Sequence, residues 1–162
     1  MKLLILSDSH SALSFMRLCI ERLTPDVVIH LGDHYDDGSA MAEEFSHICF
    51  YQVPGNCDRY RYDLNVPLTM IPQIGGVNFY LTHGHLHGVK SGLSRLLSDA
   101  KASGAQVALF GHTHQTCCLR EQGVWLINPG SCGYYGGTAA LIQLADKEIS
   151  DCRIIRQSDL LD

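Results

Sequence analysis

The sequence predicts an α/β fold in which two mixed β-sheets pack as a sandwich with flanking helices. Short apolar runs alternate with helix-like stretches in the first half of the chain, and the second half consists mainly of short strands. Several of the runs are continuously apolar, which is typical of strands buried on both faces. A length of 162 residues fits one domain, so we expect a single domain over residues 1–162.

The first half predicts a β-α-β-α-β unit, whose parallel strands are joined by right-handed crossovers. We expect Ser9 or Ser11 to cap the first helix and Pro25 to end it. The predicted elements are a strand over 3–6, a helix over 11–23, a strand over 27–31, a short helix over 40–45 and a strand over 48–53.

The second half predicts a hairpin, one further helix and a series of strands. Gly75-Gly76 forms the expected hairpin turn between 68–74 and 77–81, and Gly104 closes a helix over 91–102. A buried strand follows at 107–110. The remaining predicted strands, antiparallel with tight turns, cover 117–120, 124–127, 138–144 and 148–155.

Composition excludes several classes of function. The formal net charge is -5 and no run of Lys and Arg stands out, which argues against binding to duplex nucleic acid. No apolar run approaches the roughly 18 residues that cross a bilayer, so we expect no membrane association.

Cysteine usage indicates a reducing compartment. The seven cysteines are an odd number and form no Cys-x-x-Cys pair, unlike a disulfide framework or a zinc knuckle. We expect a cytoplasmic protein. Cys19 and Cys49 lie in apolar stretches, where we interpret them as small core residues.

Five predicted strands end in short polar segments that contain Asp, Asn or His, mostly beside Gly. A Gly-Asp or Gly-Asn pair alone more often marks a turn, whereas two His at i and i+2 after a buried strand have no simple structural explanation. The segments are Ser7-Asp8-Ser9-His10, Gly32-Asp33-His34, Pro54-Gly55-Asn56-Cys57-Asp58, Thr82-His83-Gly84-His85 and Gly111-His112-Thr113-His114.

Together the five segments predict a metal site. Ligands of open α/β sheets bind outside the carboxyl ends of the strands, where residues distant in sequence converge. The converging set contains carboxylates, one amide and several imidazoles. These oxygen and nitrogen donors suit manganese, iron, nickel or zinc in an octahedral-like site, rather than a tetrahedral structural zinc.

In this order, the segments resemble the calcineurin-like metallophosphoesterase superfamily, whose pattern is Asp-x-His, Gly-Asp, Gly-Asn, His and Gly-His-x-His. The resemblance runs from Asp8 to His114. The small size, the Gly-Asn-Cys-Asp segment and Asn128-Pro129-Gly130-Ser131 resemble the compact YfcE-type phosphodiesterase branch. The resemblance therefore implies a minimal four-layer fold over the whole chain.

The resemblance also implies two divalent metal ions, with Mn2+ expected first and iron, nickel or zinc as alternatives. A hydroxide that bridges the two ions would attack phosphorus, so no side chain is assigned as the nucleophile. The implied ligands are Asp8, His10 and His114 for the first ion, Asn56, His83 and His112 for the second, and Asp33 as the bridge.

One position departs from the pattern. Many relatives have a His directly after the Gly-Asn asparagine, where it is thought to protonate the leaving group, and this chain has Cys57. Cys57, Asp58 and His85 are therefore the candidates for a residue next to the substrate, and departure of the leaving group without a proton from the chain is a further alternative. A role of Cys57 as simple filler stays open.

Charge favours a phosphodiester substrate over a monoester. Two divalent ions, two aspartates and one hydroxide leave a single positive charge, which matches the single negative charge of a diester. A monoester dianion would need help from Arg59 or Arg61. We expect hydrolysis of a small or nucleotide-like phosphodiester, with a phosphomonoesterase and a non-catalytic scaffold as alternatives. A homo-oligomer is also considered, since small enzymes of this type often pair.

Overall fold

The structure, a computed structural model, describes residues 1–62 and 65–161, without the side chains of residues 61 and 62. The helices of the described residues are α1 (Leu13–Leu23), α2 (Tyr35–Glu44), α3 (Arg59–Tyr62) and α4 (Ser94–Ala102). The strands are β1 (Lys2–Leu6), β2 (Val27–His30), β3 (Cys49–Gln52), β4 (Thr69–Met70), β5 (Gln73–Ile74), β6 (Val77–Thr82), β7 (Val107–Leu109), β8 (Thr116–Glu121), β9 (Val124–Pro129), β10 (Thr138–Ala145) and β11 (Glu148–Arg156).

Two mixed sheets form the centre of the molecule, as the sequence predicts. The first has the order β11-β10-β1-β2-β3, in which β1, β2 and β3 are parallel. The second has the order β4-β6-β7-β9-β8, in which β6, β7 and β9 are parallel, and β5 also pairs with β6. The predicted hairpin and the β-α-β-α-β unit are both confirmed.

Three apolar clusters separate four layers. The cluster between the sheets includes Ile5, Ile29 and Phe79, each fully buried. A second cluster packs α1 and α2 against the outer face of the first sheet, and a third packs α4 against the second sheet. The helices therefore cover both outer faces of the sandwich, so the polar segments can emerge only at its ends and edges.

Three helix starts differ from the prediction, and that of α4 is Ser94, three residues after the predicted start. Neither Ser9 nor Ser11 caps α1, which begins at Leu13 without a side-chain cap, because the Ser9 hydroxyl donates to Asp37 at 2.7 Å instead. The second helix begins at Tyr35, five residues before the predicted start. Its first amide donates to the carboxylate of Asp58 at 3.0 Å, a partner that the local sequence pattern does not include.

The prediction that Cys49 is a core residue was wrong. Cys49 begins β3, which lies at the edge of the first sheet, and its side chain is exposed. An edge strand has one unpaired side, and apolar composition alone does not distinguish it from a central strand. Cys19, by contrast, lies on the buried face of α1 and is fully buried, as predicted.

Within the described residues, every helix is too short or too polar to cross a membrane.

Candidate metal centre

The polar segments of both sheets meet at one end of the sandwich. Asp8 follows β1 and Asp33 follows β2 in the first sheet, whereas His83 follows β6 in the second. Nε2 of His83 lies 3.5 Å from a carboxylate oxygen of Asp33 and 3.9 Å from one of Asp8. The carboxyl ends of the parallel strands of the two sheets therefore face a common point, as the sequence predicts.

Asp8 is fully buried and its two carboxylate oxygens face different groups. Oδ2 accepts hydrogen bonds from the hydroxyl of Ser7 at 2.6 Å and from the amide of His112 at 3.1 Å. Oδ1 lies 3.0 Å from Nε2 of His114. Donors from the chain thus fix one oxygen, and the other is turned toward the imidazoles.

Asp33 lies between two histidines that come from different sheets. Its Oδ2 is 3.9 Å from Nε2 of His10 and 3.5 Å from Nε2 of His83. Its Oδ1 accepts the amide of Cys57 at 3.0 Å, which fixes the orientation of the carboxylate. A carboxylate in this position can contact a ligand held beside His10 and another held beside His83.

His83 presents a lone pair to the cluster. Its Nδ1 lies 2.7 Å from the main-chain carbonyl of Leu31, which can only accept, so Nδ1 carries the proton. Nε2 of the neutral ring then has a lone pair that faces the Asp33 carboxylate at 3.5 Å, and two acceptors do not bond each other. A carbonyl that fixes the tautomer in this way is typical of histidines that bind metals.

The residues present fit a bound cation. Asp8, His10 and His114 form one group of ligand atoms that all lie within 4.8 Å of one another, and Asp8, Asp33 and His83 form another. Among the described residues, Nε2 of His10, Nε2 of His83 and Oδ1 of Asn56 are buried without a hydrogen-bond partner. Buried polar atoms without partners are costly, and metal ions bound at this end of the sandwich would satisfy them.

Asn56 and His112 flank the second group. The ring of His112 lies 5.1 Å from that of His83, measured between centroids, and its amide holds Asp8. The side-chain amide nitrogen of Asn56 lies 3.8 Å from the sulfur of Cys57, so its oxygen is turned away from that thiol. The structure thus brings six of the implied ligands into one network of contacts, and Asn56 adjoins Cys57, whose amide donates to Asp33.

Burial keeps two of the histidines neutral. Desolvation, followed by the neighbouring His83, lowers the pKa of His112 to about 4. Desolvation and the nearby His34 also lower the pKa of His10. Neutral imidazole is the form that coordinates metals, so both rings are ready to bind near pH 7.

The backbone of the cluster has an uncommon conformation. Five of the implied ligands have a positive φ and so adopt the left-handed backbone conformation that most residues with a side chain avoid. Such positions cluster at functional sites, where the surrounding structure holds them. Asp, Asn and His enter this region more readily than other residues with a Cβ, so ligand chemistry and backbone shape agree here. The φ values are 51° for Asp8, 43° for His10, 57° for Asp33, 68° for His112 and 58° for His114.

The three candidates for a residue next to the substrate have different surroundings. Asp58 is buried, and its two carboxylate oxygens accept the amides of Tyr35 and Gly55 at 3.0 and 2.8 Å. Cys57 as a whole is exposed. Partial desolvation of its sulfur, followed by the Asp33 carboxylate, raises the pKa of its thiol to about 11. The geometry favours a structural role for Asp58 as the residue that shapes this loop.

His85 lies beside the second group of ligands. Its ring centroid is 5.5 Å from that of His83 and 6.2 Å from that of His112. The residue begins a short 3-10 helix over His85–His87 and is half-buried. Burial, followed by the neighbouring His83, lowers its pKa. Of the three candidates, His85 therefore has an imidazole within reach of a ligand bound at the cluster.

The segment after β9 supports the cluster, a role that the sequence only partly indicates. The hydroxyl of Ser131 donates to the main-chain carbonyl of Asp8, and the side chain of Asn128 donates to the carbonyl of Gly111 at 3.0 Å. The ring of Tyr134 stacks on that of His114 at 5.0 Å. A Ser and a Tyr in a loop carry no local signal of such roles, because their partners are more than a strand away in sequence.

Gly111 allows the closest approach within the site. A Cβ at this position would meet Oγ of Ser7 and would lie 2.7 Å from Oδ2 of Asp8. A side chain there would displace the carboxylate, so the Gly before His112 is a steric requirement of the site.

The fold and the cluster define a class of protein, the metal-dependent phosphoric ester hydrolases. The family model of the calcineurin-like phosphoesterase superfamily domain matches residues 1–147. The chain belongs to this superfamily.

Relatives by sequence carry the same family name. A probable metallophosphoesterase of Bacillus subtilis, YsnB, is 35% identical over 133 residues, which are 81% of this chain and 75% of the relative. The phosphodiesterase MJ0936 of Methanocaldococcus jannaschii is 31% identical over 168 residues, covering 91% of this chain and 96% of the relative.

Solved structures confirm the fold. A predicted phosphoesterase of Streptococcus pneumoniae superposes with a TM-score of 0.78 at 22% identity, over 97% of this chain and 90% of that one. Vps29 of Entamoeba histolytica complexed with Zn2+ superposes with a TM-score of 0.70 at 18% identity, over 96% of this chain and 98% of that one. At these identities the likeness concerns the architecture alone.

Proposed function

We propose that this chain is a dinuclear metal-dependent phosphodiesterase that hydrolyses a small or nucleotide-like phosphodiester. The observation that carries the proposal is the position of the Asp33 carboxylate, which one histidine from each half of the cluster approaches within 4 Å. The proposed ligands are Asp8, His10 and His114 for one ion, Asn56, His83 and His112 for the other, and Asp33 for both.

Two divalent ions at these positions would activate a water molecule for attack on phosphorus and would neutralise charge on the non-bridging oxygens. The residues of the chain hold the ligands in place. Ser7 and the amide of His112 hold one oxygen of Asp8, and the carbonyl of Leu31 selects the tautomer of His83 that has its proton on Nδ1 and its lone pair on Nε2. We propose His85 as the side chain that donates a hydrogen bond to the substrate.

Charge supports a diester as the substrate. After two aspartates and one hydroxide, two divalent ions retain one positive charge, which a diester neutralises. Arg59, one of the residues that could add charge for a monoester, is exposed, and the side chain of Arg61 lies outside the described residues. The relative from Methanocaldococcus jannaschii, whose name is phosphodiesterase, also supports this choice.

Manganese is the proposed metal, since the donors are hard oxygens and borderline nitrogens, and iron, nickel and zinc suit the same set. We also propose that the chain works as one domain in the cytoplasm, because its exposed cysteines suit a reducing compartment.

Hydrolysis by metal-stripped protein tests the proposal. Bis-p-nitrophenyl phosphate and p-nitrophenyl phosphate would be compared after adding Mn2+, Ni2+, Zn2+ or Mg2+ singly. We expect diester cleavage that needs the metal and falls by at least about a hundredfold in Asp33→Ala and His112→Ala. The matched controls Asp151→Ala and His47→Ala change exposed residues and keep the wild-type rate.

Other outcomes identify the alternatives. A strong preference for the monoester would make the protein a phosphomonoesterase on the same site. Folded wild-type protein that binds metal but cleaves neither ester would favour a scaffold.

A further inference from the structure

Two openings flank the candidate metal centre, and they differ in charge. The first, here called the acidic opening, is lined by His34, Cys57, Tyr60 and three aspartates, Asp36, Asp37 and Asp58. The second, here called the His114 groove, has a volume of about 580 Å3 and is lined by residues 113–116, Tyr135, Thr138 and Arg156.

The His114 groove is suited to an anion. No carboxylate is among the described residues that line it, although the chain has a net charge of -5. Its one cation is the guanidinium of Arg156, an exposed residue that forms no ion pair within the described part of the chain. An anionic arm of the substrate would be repelled by the acidic opening and attracted to this groove.

Arg156 and one of the proposed metal ligands, His114, line the same groove. Arg156 ends β11, pairs in register with Thr138 of β10, and shares the groove wall with His114. Two of the three threonine hydroxyls that line the groove already donate to main-chain carbonyls, that of Thr113 to Gln115 and that of Thr138 to Ser131, each at 3.4 Å. The guanidinium is the charged donor of the groove, and it can bind a phosphate through two hydrogen bonds.

Aromatic rings form one side of this space. Tyr134 stacks on His114, and the ring of Tyr135 next to it is 86% exposed. An exposed ring beside a cationic groove is a platform on which a nucleobase can stack, and the stacking tolerates any base.

We propose that the His114 groove binds the nucleoside arm of the diester, with Arg156 bound to a second phosphate on that arm and Tyr135 stacked on the base. The inference rests on the proposed function and specifies its substrate class, a nucleotide-like diester that carries a second phosphate. Arg156 then determines specificity and takes no part in the attack on phosphorus.

Binding tests the groove without any turnover. The Mn2+-loaded protein would be titrated with thymidine 5'-monophosphate and with thymidine 3',5'-bisphosphate in a calorimeter. We expect the bisphosphate to bind about tenfold more tightly and Arg156→Gln to abolish this difference. Arg153→Gln is the matched control, since Arg153 lies on the same strand, outside the groove, and pairs with Asp151. Equal affinities in the wild type, or a difference that persists in Arg156→Gln, would overturn the proposal.

Tyr135→Ala separates stacking from charge. We expect this variant to bind both nucleotides more weakly by a similar factor and to keep the preference for the bisphosphate. Tyr135→Phe, which retains the ring, should bind both nucleotides as the wild type does. If Tyr135→Ala leaves both affinities unchanged, the base does not stack there and this part of the proposal is wrong.

Turnover distinguishes failure of the groove from failure of the proposed function. The p-nitrophenyl esters of thymidine 5'-phosphate, with and without a 3'-phosphate, would be hydrolysed under the same conditions. We expect the ratio of their kcat/KM values to fall about tenfold in Arg156→Gln and to stay constant in Arg153→Gln. Selective binding without turnover would support the proposal for the groove and contradict the phosphodiesterase function. Turnover without selectivity would support the phosphodiesterase function and contradict the proposal for the groove.

Discussion

The hydroxyl of Ser131 donates a hydrogen bond of 2.8 Å to the main-chain carbonyl of Asp8, although 123 residues separate the two. The same hydroxyl accepts the amides of Gly133 and Tyr134, each at 3.2 Å. Because Ser131 is buried, this one side chain ties the loop that carries Asp8 to the loop that carries the Tyr134 ring. The loop of a proposed metal ligand is thus held by a residue that lies far along the chain.

Ser131→Ala should weaken metal binding by about tenfold, because the Asp8 loop loses the contact that orients it. Calorimetric titration of metal-free protein with Mn2+ measures the effect. Ser150→Ala is the control, since its hydroxyl bonds the carbonyl of Gln143 on an exposed surface. Identical affinities in the two variants would mean that Asp8 keeps its position without Ser131.

Asp8→Asn should make the metal-free protein at least as stable as the wild type, because it removes one of two carboxylates buried within 4.8 Å of each other. With Mn2+ present the order should reverse, since a ligand at a hundred times its Kd adds about 2.7 kcal/mol to the protein that binds it. Thermal unfolding in chelator and in Mn2+ tests both parts. A metal-free variant clearly less stable than the wild type contradicts the prediction.

His85→Asn should slow hydrolysis most for diesters with poor leaving groups, by about a hundredfold, because those groups need a donated proton. Aryl diesters with leaving phenols of increasing pKa measure the dependence. Cys57→Ala is the comparison, since Cys57 is the exposed residue among the three candidates. If the dependence steepens in Cys57→Ala but not in His85→Asn, the thiol is the donor.

The free energy of unfolding of the metal-free protein should decrease as the pH falls, because His30 is buried in its neutral form. Burial lowers its pKa from 6.5 to about 4, so between these values the unfolded chain binds a proton that the folded chain does not. Stability is fully present above pH 6.5 and decreases toward pH 4, by up to about 3 kcal/mol.

Urea unfolding between pH 7.5 and 4.5 in chelator measures this slope. His30→Gln should flatten it, and His47→Gln, at an exposed histidine, should not. His30 accepts the amide of Gly32 through Nδ1, so its Nε2 carries the proton that faces Ser9 at 3.0 Å. An equal slope in both variants would assign the pH dependence to other groups.

The sequence predicts the candidate site better than its surroundings. A ligand segment such as Gly111-His112-Thr113-His114 is continuous in sequence and directly follows its strand, so it can be located without knowing how the strands are arranged. The contact between His83 and Asp33 needs the two stacked sheets to have the carboxyl ends of their parallel strands at the same end of the sandwich, and no local pattern contains that arrangement.

The errors have the same origin. Cys49 is apolar in context but lies on an edge strand, and the position of a strand within a sheet is a long-range property. The start of α2 depends on Asp58, which accepts the amide of Tyr35 from another loop. Ser9 has the chemistry of a helix cap and bonds Asp37 instead.

The left-handed backbone at Asp8, His10, Asp33, His112 and His114 also limits how descendants of this chain can diverge. If selection for catalysis were relaxed, these positions would not be free to accept any residue, because a β-branched side chain would strain the loop even with no ion to bind. Drift would lead first to Asn, Gly or an exchange between Asp and His. A descendant that had lost catalysis would therefore keep enzyme-like residues at these positions, because the backbone conformation restricts which residues fit there.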